Sequence, residues 1–152
     1  MKIAIDSREK PRAIVQIRQY FDQNSIKHFV NKLPVGDYMD FDNPQVSVDR
    51  KQTLSEITQN VCQEHDRFRR ELLRAMDLDI RLIFLCEHGD GIKELSDVRH
   101  WRNPRCAISP YAMEGWELYR RLVTIENKYG TRFYFCTKEQ TGSQIIKLLG
   151  GN

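Results

Sequence analysis

Two carboxylates and a lysine are spaced in the sequence so that they can form one small site. Asp37 follows a predicted turn that ends at Gly36, and Asp49 and Lys51 end the next short extended segment. Side chains two residues apart in a strand project from the same face. If Asp37 begins the facing strand of a hairpin, its carboxylate reaches the same place. Such a site predicts Mg²⁺ or Mn²⁺ held by the two acids, with Lys51 orienting or deprotonating an attacking water.

Spacing alone is weak support for that interpretation. An acid two residues before a lysine also occurs at Glu126 and Lys128, but that pair falls in a predicted helix with no preceding carboxylate. The structural alternative for Asp49 and Lys51 is a cross-strand ion pair on an exposed strand, worth about 0–1 kcal/mol. The spacing leaves both interpretations open.

The elements that would position these residues alternate between strand and helix. Residues 2–5 form a short apolar strand that ends in Asp6, and the Pro11 region begins a helix with one apolar face. Further strands are predicted over 28–33, 37–41 and 46–51, the last two joined by a tight turn. Beyond Lys51, the sequence Thr53-Leu54-Ser55-Glu56 matches a capping box and begins a helix whose apolar stripe continues to Ala75.

The polar side of that helix carries an arginine cluster. At 100° per residue, the outward face includes Arg67, Arg70 and Arg74. The guanidinium fork suits phosphate, so this stripe and Arg8 are candidate phosphate- or DNA-binding residues, whereas a basic cluster taken alone is usually just a solvated face. The whole chain has a formal net charge of only +3, which is too small by itself to indicate a polyanionic partner. The full set on the polar side is Glu56, Asn60, Gln63, Arg67, Arg70 and Arg74.

The second half of the chain completes an α/β pattern. Residues 80–86 are nearly all apolar, as in a strand buried on both faces, and 133–136 is another core strand. Helices are predicted over 96–101, 111–129 and 143–149. The sequence thus predicts one α/β domain with a central mixed sheet and helices on both faces.

The composition limits the expected cellular location of the protein and the state of its cysteines. No stretch approaches the roughly 18 apolar residues of a membrane span, and Asp6 ends the first apolar run too early for a signal peptide. A cytosolic or DNA-associated location is therefore expected. The four cysteines are widely spaced and lack a Cys-x-x-Cys pair, which favours reduced structural thiols over a zinc site. A zinc site can be drawn from Cys86, His88, His100 and Cys106, but its spacing fits no standard finger or ribbon.

Several ordered motifs resemble the nuclease domain of the XPF family. They are Asp6-Ser7-Arg8-Glu9 after the first strand, Gly36-Asp37, and Asp49-Arg50-Lys51. The later Asp66-Arg67-Phe68 is similar to the basic stretch of the family's next helix. Segments around Glu87-His88-Gly89 and Trp101-Arg102-Asn103-Pro104 resemble small stand-alone bacterial and prophage members.

The resemblance implies a restriction-endonuclease-like, PD-(D/E)XK core. Asp37 and Asp49 would be metal ligands, Lys51 would position water, and Asp6 and Glu9 would border the site with Arg50. The chain departs from the family at Asp49, where Glu is usual. The family's trailing acid falls at Ser55, so whether Glu56 is an accessory acid of the site or only a helix cap stays open.

The expected activity is divalent-metal-dependent cleavage of DNA, on branched or partly single-stranded substrates in repair or recombination. Residues 1–152 are expected to form one nuclease domain without the helicase and helix-hairpin-helix modules of larger relatives. A homodimer or a partner protein would then supply substrate targeting. The alternative is a catalytically silent or partner-dependent DNA-binding module of the same fold.

Overall fold

A computed structural model describes residues 1–151 and contains one six-stranded sheet. Within these residues the strands follow the predicted segments to within two residues at each end, and three of the six are shorter than predicted. The predicted mixed sheet is confirmed. The strands are β1 (Lys2–Asp6), β2 (Lys27–Asn31), β3 (Tyr38–Asp40), β4 (Val46–Lys51), β5 (Arg81–Cys86) and β6 (Arg132–Phe135).

The sheet order is β2-β1-β3-β4-β5-β6. The short strand β3 lies in the middle and is antiparallel to both neighbours, whereas the β1–β2, β4–β5 and β5–β6 pairs are parallel. The β3–β4 hairpin pairs Tyr38 with Val48, which places the start of β3 beside the end of β4. Asp37, which immediately precedes β3, and Asp49 of β4 therefore lie opposite each other at the two central strands, as the hairpin prediction requires.

Helices cover both faces of the sheet. Strand β5 shows the division: Leu82, Phe84 and Cys86 enter the core on one face, and Leu85 enters the core on the other. The helices are α1 (Val15–Gln23), α2 (Leu54–Cys62), α3 (His65–Asp77), α4 (Gly115–Tyr129) and α5 (Thr141–Leu148), with 3₁₀ turns at Pro11–Ile14, Leu95–His100, Pro104–Ala107 and Lys138–Gln140. The first core is closed by α2, α3 and α4, and the second by α1 and α5.

The prediction of one helix from Leu54 to Ala75 is wrong. The amides of Gln63 and Glu64 both donate to the carbonyl of Gln59, which closes α2 with a tight turn before α3 begins. The apolar stripe hides this break, because Leu54 on α2 and Ala75 on α3 enter the same core. Apolar periodicity reports which face is buried and is insensitive to a short interruption of the helix.

The helix predicted over 111–129 begins four residues late. The carbonyl of Met113 accepts a hydrogen bond of 2.8 Å from the buried side chain of Asn103, which fixes the preceding residues as a loop. Gly115 then begins α4 where a Cβ would collide with the backbone carbonyls of Val98 and Trp101. A tertiary contact thus sets the start of this helix, and single-sequence periodicity contains no sign of it.

Gly36 shapes the turn that presents Asp37, and its replacement should be costly. Its φ is +70°, and an added Cβ would overlap Oγ of Ser47, a buried hydroxyl that donates to the carbonyls of Val35 and Tyr38. Gly36→Ala is expected to lower the free energy of unfolding by about 2–4 kcal/mol, from left-handed strain and overpacking. Urea unfolding measures this loss. Removing the hydroxyl as well, in Gly36→Ala/Ser47→Ala, should cost less than the two single changes added together; strict additivity would argue against the overlap.

Candidate active site

Asp37, Asp49 and Lys51 are brought together by the β3–β4 hairpin. The amide of Asp37 donates to the carbonyl of Val48 at 2.9 Å, and the amide of Arg50 donates to Oδ2 of Asp37 at 2.8 Å. Nζ of Lys51 lies 3.0 Å from Oδ1 of Asp49. The amide of Asp6 also binds the Asp37 carbonyl at 2.8 Å, so β1 and β4 hold the residue from both sides.

Strand alternation separates Arg50 from its two neighbours. Asp49 and Lys51 project toward α2 and α3, where Nζ of Lys51 lies 5.8 Å from the centre of the Phe84 ring. Arg50 projects to the other face and binds the Glu9 carboxylate with Nε at 2.8 Å and Nη2 at 3.2 Å. Its Nη1 is 3.4 Å from Glu87. The predicted site residue Arg50 thus belongs to an internal ion-pair network.

Glu71 of α3 completes the acidic group, and sequence reasoning did not single it out. Its carboxylate accepts a hydrogen bond of 3.1 Å from the amide of Gly36 and lies within hydrogen-bonding reach of the Asp49 carboxyl group. Repulsion between these two carboxylates adds to the raised pKa of Asp49, and a shared proton, the Lys51 ammonium or a bound cation would relieve it. In the sequence, Glu71 could have been recognised from a second polar stripe at helical spacing. The members of this stripe are Glu56, Asn60, Glu64, Arg67 and Glu71.

These residues line a polar cleft of about 270 Å³. Its six acids and four basic residues give the lining a formal charge of −2. A phosphodiester entering such a cleft would be repelled unless a cation neutralised part of this charge. The lining residues are Arg8, Glu9, Asp37, Asp49, Arg50, Lys51, Glu56, Asn60, Glu64, Arg67, Phe68 and Glu71.

The donor set fits a hard divalent cation. Burial raises the pKa of Asp37 well above its usual range, and the neighbouring Asp49 and Glu9 raise it further. Burial also raises the pKa of Asp49 to about 7; Lys51 opposes this shift and Glu71 adds to it. Within residues 1–151 no three His, Cys, Asp or Glu side chains form a ready metal cage. Mg²⁺ commonly takes only one or two carboxylates, with water and substrate phosphate completing its shell.

Other predicted site residues lie around this centre in different roles. Asp6 is fully buried, does not line the cleft, and accepts hydrogen bonds from Arg8 Nε at 2.7 Å and from the Leu33 amide at 2.9 Å. Burial acts to raise the pKa of Asp6, but these bonds and the Arg8 charge hold it below its usual value. Glu56 lines the cleft, and its carboxylate accepts from the Gln52 amide at 2.7 Å while its own amide donates to Thr53.

The predicted arginine stripe divides between the cleft and the outer surface. Arg67 lines the cleft. Arg70 is exposed and lies outside the lining, and Nη1 of Arg74 donates to the Pro34 carbonyl at 3.3 Å. The zinc alternative is not supported, since Cys106 is exposed and its Sγ lies 3.7 Å from the Ala112 carbonyl. No helix within residues 1–151 has the length and apolarity needed to cross a bilayer.

Without divalent metal, the protein should lose stability as pH rises from about 5 to 8. The pKa of Asp49 is about 7 in the fold, above the ordinary value of 3.8, and Asp37 shifts in the same direction. The folded chain therefore binds these protons more tightly than the unfolded chain, and that stabilisation disappears as pH passes the folded pKa. Thermal unfolding in EDTA at pH 5.5, 6.5 and 7.5 measures it. Asp49→Asn should flatten the dependence; an equally steep fall in the variant would contradict this assignment.

The fold and the site together define an α/β domain with a carboxylate-lined cleft beside its central hairpin, and comparison with known proteins identifies its family. The ERCC4 domain model matches residues 5–149. The chain therefore belongs to the ERCC4 domain family, which is a family of nucleases.

Solved structures confirm the fold. XPF from Aeropyrum pernix aligns with a TM-score of 0.67 and 17% identity, over 98% of this chain and 63% of that one. XPF from the same organism in complex with DNA aligns with a TM-score of 0.67 and 19% identity, over 97% and 62%. The chain thus spans less than two thirds of those XPF chains. Among curated proteins, none matches significantly.

Proposed function

We propose that this protein is a divalent-metal-dependent DNA endonuclease that hydrolyses phosphodiester bonds. One observation carries the proposal: Asp37, Asp49 and Lys51 converge, with Glu71, in a cleft whose lining is net negative. Family membership supports the reaction class, and the complex of an XPF chain with DNA supports DNA as the substrate class. The expected setting is intracellular DNA repair or recombination.

The cation would be Mg²⁺ or Mn²⁺ held by Asp37 and Asp49. When bound, it supplies a water of lowered pKa and offsets charge on the phosphoryl oxygens. Glu71 accepts the Gly36 amide and so fixes the turn that presents Asp37. We assign Glu71 as a third acid of this site, acting on Asp49 from α3.

Lys51 is a protonated, positively charged ammonium in this site, which limits the roles that it can have in catalysis. Burial acts to lower the pKa of Lys51, but the pair with Asp49 and the charges of Asp37 and Glu56 hold it above its ordinary value. An ammonium cannot accept a proton, so in this arrangement Lys51 donates hydrogen bonds. It would orient the attacking water and offset negative charge on the phosphate in the transition state.

A cleavage assay tests the proposal. Labelled flap, fork, single-stranded and duplex DNA would be incubated with the protein in Mg²⁺, in Mn²⁺ and in EDTA. We expect cutting with either metal and none in EDTA, with branched or partly single-stranded DNA preferred to plain duplex. If no substrate is cut with either metal while DNA binding persists, the protein is instead a silent or partner-dependent module of the family.

A further inference from the structure

Acids outnumber basic groups in the lining of the cleft, so the cleft itself offers little attraction for phosphate, and affinity for DNA would come from another surface. A second concavity, of about 580 Å³, lies on the opposite side of α3, between α3 and α4. Phe68 lines both the cleft and this concavity, so a single helix separates them. We name it the α3–α4 groove; it is lined by Val61, His65, Phe68, Arg69, Leu72, Trp116, Glu117, Arg120, Arg121, Thr124, Ile125, Lys128 and Tyr129.

The charge of the groove is opposite to that of the cleft. Its lining has four basic side chains and one acid, which gives a formal charge of +3 with histidine neutral. Within residues 1–151 none of the four basic groups has a carboxylate within 4.0 Å, and all four residues are exposed. Unpaired, exposed cations beside an apolar floor suit a polyanion that also has apolar faces. The four are Arg69, Arg120, Arg121 and Lys128.

Trp116 provides a surface for such a ligand. The residue is 49% exposed, although it lies in the first turn of a helix that packs against the core. Nε1 donates to the Glu114 carboxylate at 2.6 Å, so the indole is held in place with its hydrogen-bonding group already satisfied. What remains available is the ring face, and an aromatic face among arginines is the arrangement that binds bases of a single strand.

We propose that the α3–α4 groove binds a single-stranded DNA segment next to the bond being cut. This inference rests on the proposed nuclease function. Bases would contact Trp116 and the apolar floor, while Arg69, Arg120 and Arg121 hold phosphates. The strand would cross α3 to reach the cleft, a distance of about 10–12 Å, the width of one helix. The groove would favour substrates that offer an unpaired strand beside the cleavage point.

Binding of a labelled 20-nucleotide oligo-dT strand in EDTA tests the groove without cleavage. The charge-reversal variant is Arg120→Glu/Arg121→Glu on α4. Its matched control is Arg18→Glu/Lys147→Glu, which makes the same change at exposed positions of α1 and α5 on the other face of the sheet. We expect affinity to fall about tenfold or more in the groove variant and less than about twofold in the control. The slope of log affinity against log salt should decrease by about 1.4, since each lost phosphate contact contributes about 0.7.

Crosslinking gives a second readout. Oligo-dT carrying 5-iodouracil should attach to the peptide that contains Trp116, and Trp116→Ala should weaken binding about tenfold. Unchanged oligo-dT binding by the groove variant, or equal loss in the control, overturns the inference. A dimer in sedimentation that the groove variant dissociates without losing oligo-dT binding also overturns it, because a second copy then covers the groove. If wild type cuts no DNA but these binding results hold, the groove assignment stands and the proposed enzyme does not.

Discussion

Replacing Lys51 with alanine is expected to reduce DNA cleavage by about 10²-fold or more, the scale of removing one positioned proton-transfer or charge-stabilising group. The ammonium lies 3.0 Å from Asp49 and its side chain is 11% exposed, so no water or neighbouring lysine replaces it easily. Binding of oligo-dT should change much less than cleavage, because the cleft contributes little attraction for phosphate. Single-turnover cleavage and oligo-dT affinity, measured on the same preparations, separate the two quantities.

Two companion variants decide whether charge or bulk matters at this position. Lys51→Met keeps most of the aliphatic stem above Phe84 and removes only the charge, so it should be nearly as inactive as Lys51→Ala. Lys147→Ala, at an exposed position of α5, should cleave like wild type. Cleavage by Lys51→Met at more than about a tenth of the wild-type rate would contradict the role assigned to the ammonium.

The sheet could be predicted from the sequence because its strands are short and separated by clear turn residues. Residues 82–86 are buried on both sides of the sheet, which is why an unbroken apolar run identified β5 correctly. The α2–α3 break and the start of α4 could not be predicted. Both depend on hydrogen bonds made around Gln59 and Asn103, and those bonds leave the apolar periodicity unchanged.

The site was predictable to the extent that it depends on local spacing. The two-residue separation of Asp49 and Lys51 and the hairpin that adds Asp37 follow from strand geometry alone. Glu71 could not be placed in the same way, because its contact with Asp49 depends on how α3 packs after the break. Arg50 shows the reverse case: the motif included it, and strand alternation turned its side chain away from Asp49 and Lys51 into ion pairs with Glu9 and Glu87 at the border of the cleft.

Under these two proposals, the two concavities beside α3 would divide the tasks of a nuclease. A lining that holds a dication must be acidic, and the same acids repel the substrate's phosphates. A basic surface at a distance of one helix can supply affinity without neutralising the acids that bind metal. Arg67 and Arg69 illustrate the division, because Arg67 faces the cleft and Arg69, two residues later, faces the groove.

Arg50→Ala is expected to lower the free energy of unfolding by about 3–5 kcal/mol, the usual cost of leaving buried charges without their partner. The Arg50 side chain is 5% exposed and pairs with Glu9 and Glu87, whose side chains are 10% and 6% exposed. Tyr38 also donates its hydroxyl to Glu9 at 2.7 Å, so the network reaches the second core. Burial acts to lower the pKa of Arg50, but the Glu9 carboxylate holds it above its ordinary value.

Thermal unfolding at pH 7.5 should show the loss as a fall in Tm of roughly 10 °C. The cause can be tested by neutralising the two acids in the same background. If unpaired charge is the cost, Arg50→Ala/Glu9→Gln/Glu87→Gln should recover a large part of the lost stability, although it removes more polar groups. A loss below about 1 kcal/mol in Arg50→Ala would contradict the network's structural role. Continued loss in the triple variant would indicate that the packing of the Arg50 stem, and not its charge, joins the hairpin to β5.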